Sequence, residues 1–375
     1  MIKRILLALF VVTFTSFTCA QEEWQNVSRI VAIGDLHGDY EQFVKVMTMA
    51  GLIDDEGEWA GGKTHLVQTG DIPDRAADSL KIINHLQRLE KQARRAGGYV
   101  HLLIGNHEAM NVYRDLRYVH PGESQNMVDS RSERRREQYY RRHVDYLSSQ
   151  NPEMEFDETF RQQWEKLHPP GFVEHRLLWQ PDGKIGKWVR RHNTVIRIND
   201  ILFVHGGISP HTPFLSLDEI NTKVRRELGK LPLPPDALAS DPQGPLWYRG
   251  LIHNPEETER PAVMEMLRHY GANHIVMGHT TGKGAIRPRF DGHVIAIDVG
   301  LSRAYGGHMA CLVIDDGKFY ALHRGHRLPI PRKDADVPAY LRAIHEIDPG
   351  YPAEQVIDEL QAPATSPEVT DEDPA

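Results

Sequence analysis

An α/β fold, with strands buried between helices, is predicted on three observations. First, five short apolar runs, at residues 30–33, 65–68, 99–104, 201–204 and 274–277, each stop abruptly at a polar cluster. Second, the runs are rich in β-branched residues and lack polar alternation, the pattern of strands covered on both faces. Third, residues 40–50 and 76–95 carry apolar residues at helical spacing, the second segment ending at Gly97-Gly98. Strand–helix–strand alternation places ligands beyond the carboxyl ends of the strands, where all five polar clusters fall.

Taken from the amino terminus, Lys3 and Arg4 precede an apolar run at 5–17, followed by the small-residue stretch Thr18-Cys19-Ala20. This reads as a secretory signal over residues 1–20, too short for a comfortable membrane span. The expected location is therefore periplasmic or secreted, with no stable membrane insertion after cleavage. Removing residues 1–20 takes away two bases and no acid, moving the formal charge from −8 to −10. That sign argues against a wholesale polyanion binder, so no nucleic acid partner is expected. With 40% hydrophobic and 26% charged residues the chain is neither low-complexity nor disordered overall. Two cysteines, Cys19 and Cys311, cannot build a disulfide scaffold, and Cys311 reads as a small core hydrophobe.

The catalytic domain is read as 28–330. Residues 109–195 interrupt its pattern with charged, helix-prone sequence and are expected to form a largely helical cap insertion. The run Arg131-Ser132-Glu133-Arg134-Arg135-Arg136 within it reads as a solvated helix face partnered by Glu133 and Glu137, rather than an anionic-substrate patch. A helical C-terminal wrap is expected over 331–361. Residues 362–375, with three prolines and four acids, read as a disordered acidic tail.

Gly34-Asp35-Leu36-His37, Gly70-Asp71 or Gly105-Asn106 alone is ordinary turn chemistry. As a set, the strand ends offer Asp35, His37, Asp71, Asn106, His205 and His279, all oxygen or nitrogen donors. Such donors suit hard or borderline divalent metals. Six exceed the needs of one open catalytic ion and suit two ions about 3.5–4 Å apart, with Asp71 the natural shared carboxylate. The donors accept Mn, Fe or Zn. Two cations would acidify a water between them and stabilise the charge of an in-line transition state, so phosphate ester hydrolysis fits best. His107, one residue past Asn106, is the candidate acid for the leaving oxygen, with Asp74 orienting its ring. Arg75 is the candidate phosphate ligand, and Arg249 is a second one, read equally well as a surface arginine. His192, His293 and His308 read as structural.

These motifs, with Val204-His205-Gly206-Gly207-Ile208-Ser209-Pro210 and Gly278-His279-Thr280, resemble the metallophosphoesterase superfamily in order and kind. Asn106-His107-Glu108-Ala109-Met110-Asn111 with Asp115-Leu116-Arg117-Tyr118-Val119 resembles the phosphoprotein phosphatases and their bacterial Shewanella-like branch in particular. The resemblance implies a metallophosphoesterase-type β-sandwich flanked by helices. It implies one metal on Asp35, His37 and Asp71, and another on Asp71, Asn106, His205 and His279. It also implies His107 with Asp74 as the acid pair and Arg75 on the phosphate. Where the eukaryotic Ser/Thr enzymes carry an arginine before Gly-Asn-His-Glu, this chain has Ile104, which suggests a more apolar mouth suited to phosphotyrosine.

The leading expectation is an exported, metal-dependent phosphatase acting on phosphoprotein. A periplasmic hydrolase of small-molecule phosphates or dinucleoside polyphosphates would use the same metal chemistry. A non-catalytic phosphate- or metal-binding module is the third reading.

Overall fold

The computed structural model describes residues 21–361; the expected signal at 1–20 and the tail at 362–375 lie outside the described residues. The chain begins with β1 (Glu23–Trp24), β2 (Arg29–Ile33), α1 (Tyr40–Met49), β3 (His65–Gln68), α2 (Ser79–Ala96), β4 (Tyr99–Leu102) and α3 (Asn106–Tyr113). Five helices follow: α4 (Pro121–Gln125), α5 (Ser132–Gln150), α6 (Glu158–Leu167), α7 (Phe172–Trp179) and α8 (Lys184–Val189). The sheet pattern resumes with β5 (Val195–Ile198), β6 (Ile201–Val204), α9 (Leu217–Glu227), α10 (Gly250–His253), α11 (Glu256–His269) and β7 (His274–Met277). It continues through β8 (Arg287–Arg289), β9 (Val294–Ala296), β10 (Ala310–Asp315), β11 (Lys318–His323) and β12 (His326–Pro329), and ends in α12 (Val337–Ile347) and α13 (Ala353–Gln361).

The strands form two six-stranded sheets, β1-β5-β6-β7-β9-β8 and β12-β11-β10-β2-β3-β4. One hydrophobic core takes residues from both, including Val31, Leu66, Ile196, Phe203, Val276 and Leu312. This is the mixed α/β sandwich the apolar runs predict, because strands without polar alternation need cover on both faces. Register then positions the site. Ile33 pairs with Gln68 and Gln68 with Leu102 in parallel, while Val204 pairs with Met277. Three strands therefore end level in one sheet and two in the other, each with a polar cluster just past its end. Among the described residues, no helix is long and apolar enough to cross a membrane.

Two boundaries differ from expectation. The second helix starts at Ser79 rather than residue 76, because Asp74 and Arg75 take positive φ of 74° and 64° and break helical geometry. Strand β4 stops at Leu102 rather than residue 104, because the Ile104 N–H leaves the β3 ladder and donates to Asn193 O at 3.0 Å. Along α5, Arg141 bonds Glu137 at 2.8 Å on the solvated side, but Arg136 leaves it: 3.9 Å from Glu133, its side chain is largely covered and donates to His168 O at 2.7 Å and Glu165 O at 3.0 Å. Arg135 departs from that face and pairs with Asp129 and Glu174.

Candidate active site

The loops after β2, β3, β4, β6 and β7 bring Asp35, His37, Asp71, Asn106, His205 and His279 into one buried pocket, each 7% exposed or less. Close backbone packing lets them meet. Gly70, at φ 108°, leaves no room for a side chain: a Cβ there would lie 2.7 Å from Gly105 and 3.0 Å from the His205 ring. His37, Asp71, Asp74, Arg75 and His279 all adopt positive φ, between 43° and 74°. Such backbone costs about 1–3 kcal/mol per residue and persists only where the surroundings hold it.

Glu108 supplies part of that hold. It is the third residue of α3, and its carboxylate accepts the N–H groups of Asp71 (2.9 Å), Ile72 (2.7 Å) and Gly105 (2.8 Å). Burial, with Asp71 alongside, pushes Glu108 up to about 7. A Glu three residues past a helix cap is the sequence sign of this brace, a role the motif spacing alone does not single out.

Asp71 lies at the centre. Its Oδ1 accepts the His107 N–H at 2.9 Å, and its Oδ2 stands 3.3 Å from His205 Nε2 and 3.8 Å from His107 Nε2. Asp71 belongs to two donor groups of metal-binding size, His37–Asp71–His107 and Asp71–His205–His279, each with ligand atoms within 4.8 Å of one another. Asp35 Oδ2 lies 3.9 Å from His37 Nε2, and Asn106 Oδ1 lies 2.7 Å from His205 Nε2.

The imidazoles are oriented as metal ligands usually are, with one nitrogen on a carbonyl and the other facing the pocket. His205 Nδ1 sits 3.0 Å from Thr69 O, His37 Nδ1 3.3 Å from Pro73 O, and His279 Nε2 3.2 Å from Trp247 O. Burial, with His107 beside it, takes His37 down to about 3, and burial with Arg249 nearby lowers His279. Both rings are therefore neutral near pH 7, the form a metal needs. Carboxylates crowd the same space. Burial, then Asp298 and Asp71, raises Asp35 well above the carboxylate range. Burial also lifts Asp298 to about 6. Burial alone would raise Asp71 as well, yet His205 and His107 hold it well below its ordinary value. Neutral imidazoles and mutually repelling buried carboxylates form a donor set that fits divalent cations. Asp298, 6% exposed, adds its charge beside Asp35 without any motif that singles it out in the sequence.

Beside this set, His107 Nδ1 lies 2.6 Å from Asp74 Oδ2, both buried. Asp74 Oδ1 accepts from Asn111 Nδ2 at 2.9 Å, which also donates to His107 O. The Arg75 N–H donates to Tyr118 O at 3.0 Å, and its guanidinium lies 4.0 Å from the Tyr118 ring centre and 5.6 Å from that of Tyr305. Tyr305 packs 4.9 Å from His37, and Tyr118 5.2 Å from His107. Arg249 is half-buried and donates from Nη1 to His279 O at 2.9 Å, so it braces the His279 loop. Ile104 is fully buried in the core. The position where a clamping arginine is missing thus holds a core residue, and the apolar surface beside Arg75 and His107 comes from the Tyr118 and Tyr305 rings. Tyr118 falls within a recognisable motif and Tyr305 within none, and neither position carries a pattern that marks a ring at the mouth. Of the histidines read as structural, His192 lies 3.8 Å from Glu90, His293 Nδ1 2.7 Å from Asn273 O, and His308 3.0 Å from Asp348, none of them in this pocket.

A family model described as calcineurin-like phosphoesterase matches residues 28–282. An uncharacterized protein of Schizosaccharomyces pombe is 30% identical, over 79% of this chain and 81% of its own. Shewanella-like protein phosphatase 2 of Arabidopsis thaliana is also 30% identical, over 76% of this chain and 74% of its own. The crystal structure of a cold-active protein-tyrosine phosphatase from a psychrophilic Shewanella superposes with a TM-score of 0.62 at 29% identity, covering 83% of this chain and 82% of the other.

Proposed function

The chain belongs to the calcineurin-like phosphoesterase family, and from that premise we propose that it is an exported phosphatase using two divalent ions to hydrolyse phosphate monoesters on proteins, phosphotyrosine among them. The observation that carries the reading is the meeting of Asp35, His37, Asp71, Asn106, His205 and His279 around the shared Asp71, with the His107–Asp74 pair alongside. Asp35, His37 and Asp71 would hold one ion, and Asp71, Asn106, His205 and His279 the other. When bound, the metals supply a nucleophilic water and neutralise phosphate charge.

The remaining steps belong to side chains. Asp74 accepts the His107 Nδ1–H, which fixes the tautomer and stabilises the imidazolium. His107 then gives its Nε2 proton to the departing ester oxygen. Arg75 grips phosphate oxygens with its planar fork, held in place by the Tyr118 ring. Tyr118 and Tyr305 offer a departing aryl ring a surface to stack on, which favours phosphotyrosine over phosphoserine. Arg249 contributes by steadying His279 and adds positive charge near the phosphate. Export rests on the basic, apolar and small-residue order of residues 1–20. The protein-phosphatase assignment draws on the names of the relatives above.

The test is metal analysis of the purified protein together with kcat/KM on phosphotyrosine peptide, phosphoserine peptide and nucleotides. About two bound ions per chain and a preference for phosphotyrosine peptide are expected. Fast nucleotide turnover with inert phosphopeptides would overturn the protein-substrate reading in favour of a small-molecule hydrolase. Bound metal with no turnover on any ester would leave a binding module. Sequencing the mature amino terminus from the exported fraction checks cleavage near residue 20.

A further inference from the structure

A second cavity, of about 490 Å³, lies between α5, α7 and the segment that follows α3. Helical spacing puts Arg135, Tyr139 and Arg142 of α5 on one face toward it. From α7 come Phe172 and Arg176, and from the segment past α3 come Arg114 and Leu116. Its lining holds four arginines and no carboxylate. Arg135 is neutralised from outside the lining by Asp129 and Glu174. Arg114 and Arg142 are exposed, and Arg176 is 9% exposed. Arg176 Nη1 donates to Asn111 O at 2.7 Å, while its Nη2 is buried with no hydrogen-bond partner among the described residues. Burial, with Arg114 beside it, pulls Arg176 down to about 10.

The cavity is joined to the active site twice. α3 begins with Asn106 and His107 in the pocket and ends at Arg114 on the cavity, a rise of about 12 Å over eight residues. Leu116 lines the cavity, and Tyr118, two residues on, stands over Arg75.

We infer that this arginine cavity is a substrate subsite for the acidic side chains of a phosphopeptide, about four residues along the extended chain from the scissile phosphate. The reach follows from the roughly 12 Å separation and about 3.3 Å per extended residue. Carboxylates match the guanidinium forks, and Tyr139, Phe172 and Leu116 give the peptide's carbon stems an apolar bed. The inference rests on the protein-substrate reading above.

The test uses the full exported chain with its metals and two phosphotyrosine peptides, one with glutamates three to five residues to either side and one with glutamines there. An aryl phosphate is the third substrate. Wild type is expected to favour the acidic peptide about five- to tenfold in kcat/KM, less at high salt. R114Q/R142Q should bring that preference to within twofold and leave the aryl phosphate rate within twofold of wild type; R142Q alone should lose part of it. No acidic preference in wild type, or one that survives the double substitution, overturns the subsite while the protein-substrate reading stands. Hydrolysis of the aryl phosphate with both peptides inert overturns the two together.

Discussion

Replacing Asp74 with asparagine tests the acid pair. Both Asp74 oxygens are occupied, Oδ2 by His107 Nδ1 at 2.6 Å and Oδ1 by Asn111 Nδ2 at 2.9 Å, and the side chain is buried. A charge-assisted hydrogen bond of this kind contributes about 2–3 kcal/mol when the imidazole carries its proton. Losing it destabilises the imidazolium and depletes protonated His107 by up to about 30- to 150-fold, so proton delivery falls by up to that factor. The loss is visible only where the leaving oxygen needs that proton. Hydrolysis of phenyl phosphate or phosphoserine peptide should therefore fall by up to that factor. Hydrolysis of p-nitrophenyl phosphate, whose phenol departs as a stable anion, should fall less than about tenfold. The assay is kcat for both ester types at matched metal content, with unfolding measured in parallel to exclude a folding defect. An equal fall on both esters, at equal metal loading and stability, would refute leaving-group protonation by this pair.

Four further outcomes follow from the same geometry. Asp71→Asn and His205→Ala should each remove metal-dependent hydrolysis of an aryl phosphate, beyond the about 10- to 100-fold that outer-shell partners usually cost, with bound metal falling in parallel. Chelation of the wild type should abolish activity, and added Mn should restore it; full activity in either variant at equal metal loading would sink the assignment. Glu108→Gln places an amide donor against N–H groups and should cost about 3 kcal/mol in denaturant unfolding. Asp348 concerns stability against pH. Burial alone would raise it, but Arg324 and His308 outweigh that and hold it at about 2. A depressed carboxylate stabilises fully above its unfolded value, so Asp348→Asn should cost about 2 kcal/mol near neutral pH, a difference that vanishes as pH falls from about 4 to 2.

The fold was readable because its strands advertise themselves. Apolar runs such as Ile30-Val31-Ala32-Ile33 lack alternation, and nothing but a doubly covered sheet buries them; the four residues are at most 1% exposed. The helix boundary near residue 76 was not, because apolar periodicity runs back through a segment whose backbone is turned to positive φ at Asp74 and Arg75 by contacts distant in sequence. The Arg75 N–H, for instance, is claimed by Tyr118 O, more than forty residues away.

The site divides along the same line. Residues that sit at strand ends were found by position, since chain order and donor chemistry are both local properties. Residues that act by packing were not: Tyr305 is brought to His37 and Arg75 by the loop before β10, and Asp298 to Asp35 by the loop after β9. Ile104 gives the converse case: local sequence marks the missing cation there, but only the fold shows that the residue in its place packs into the core. Arg176 is the most consequential of these. In sequence it is one arginine among many in a charged insertion; in the fold its guanidinium binds Asn111 O, and the Asn111 amide binds Asp74. The insertion is thereby tied to the catalytic acid through two consecutive hydrogen-bonded contacts. Arg176→Lys, which keeps the charge but loses the planar fork, should loosen Asn111 and lower kcat on esters that need leaving-group protonation more than on p-nitrophenyl phosphate. An insertion that merely covers the site would alter KM and leave that ratio unchanged, so the kcat ratio between the two esters distinguishes support of the acid from simple coverage.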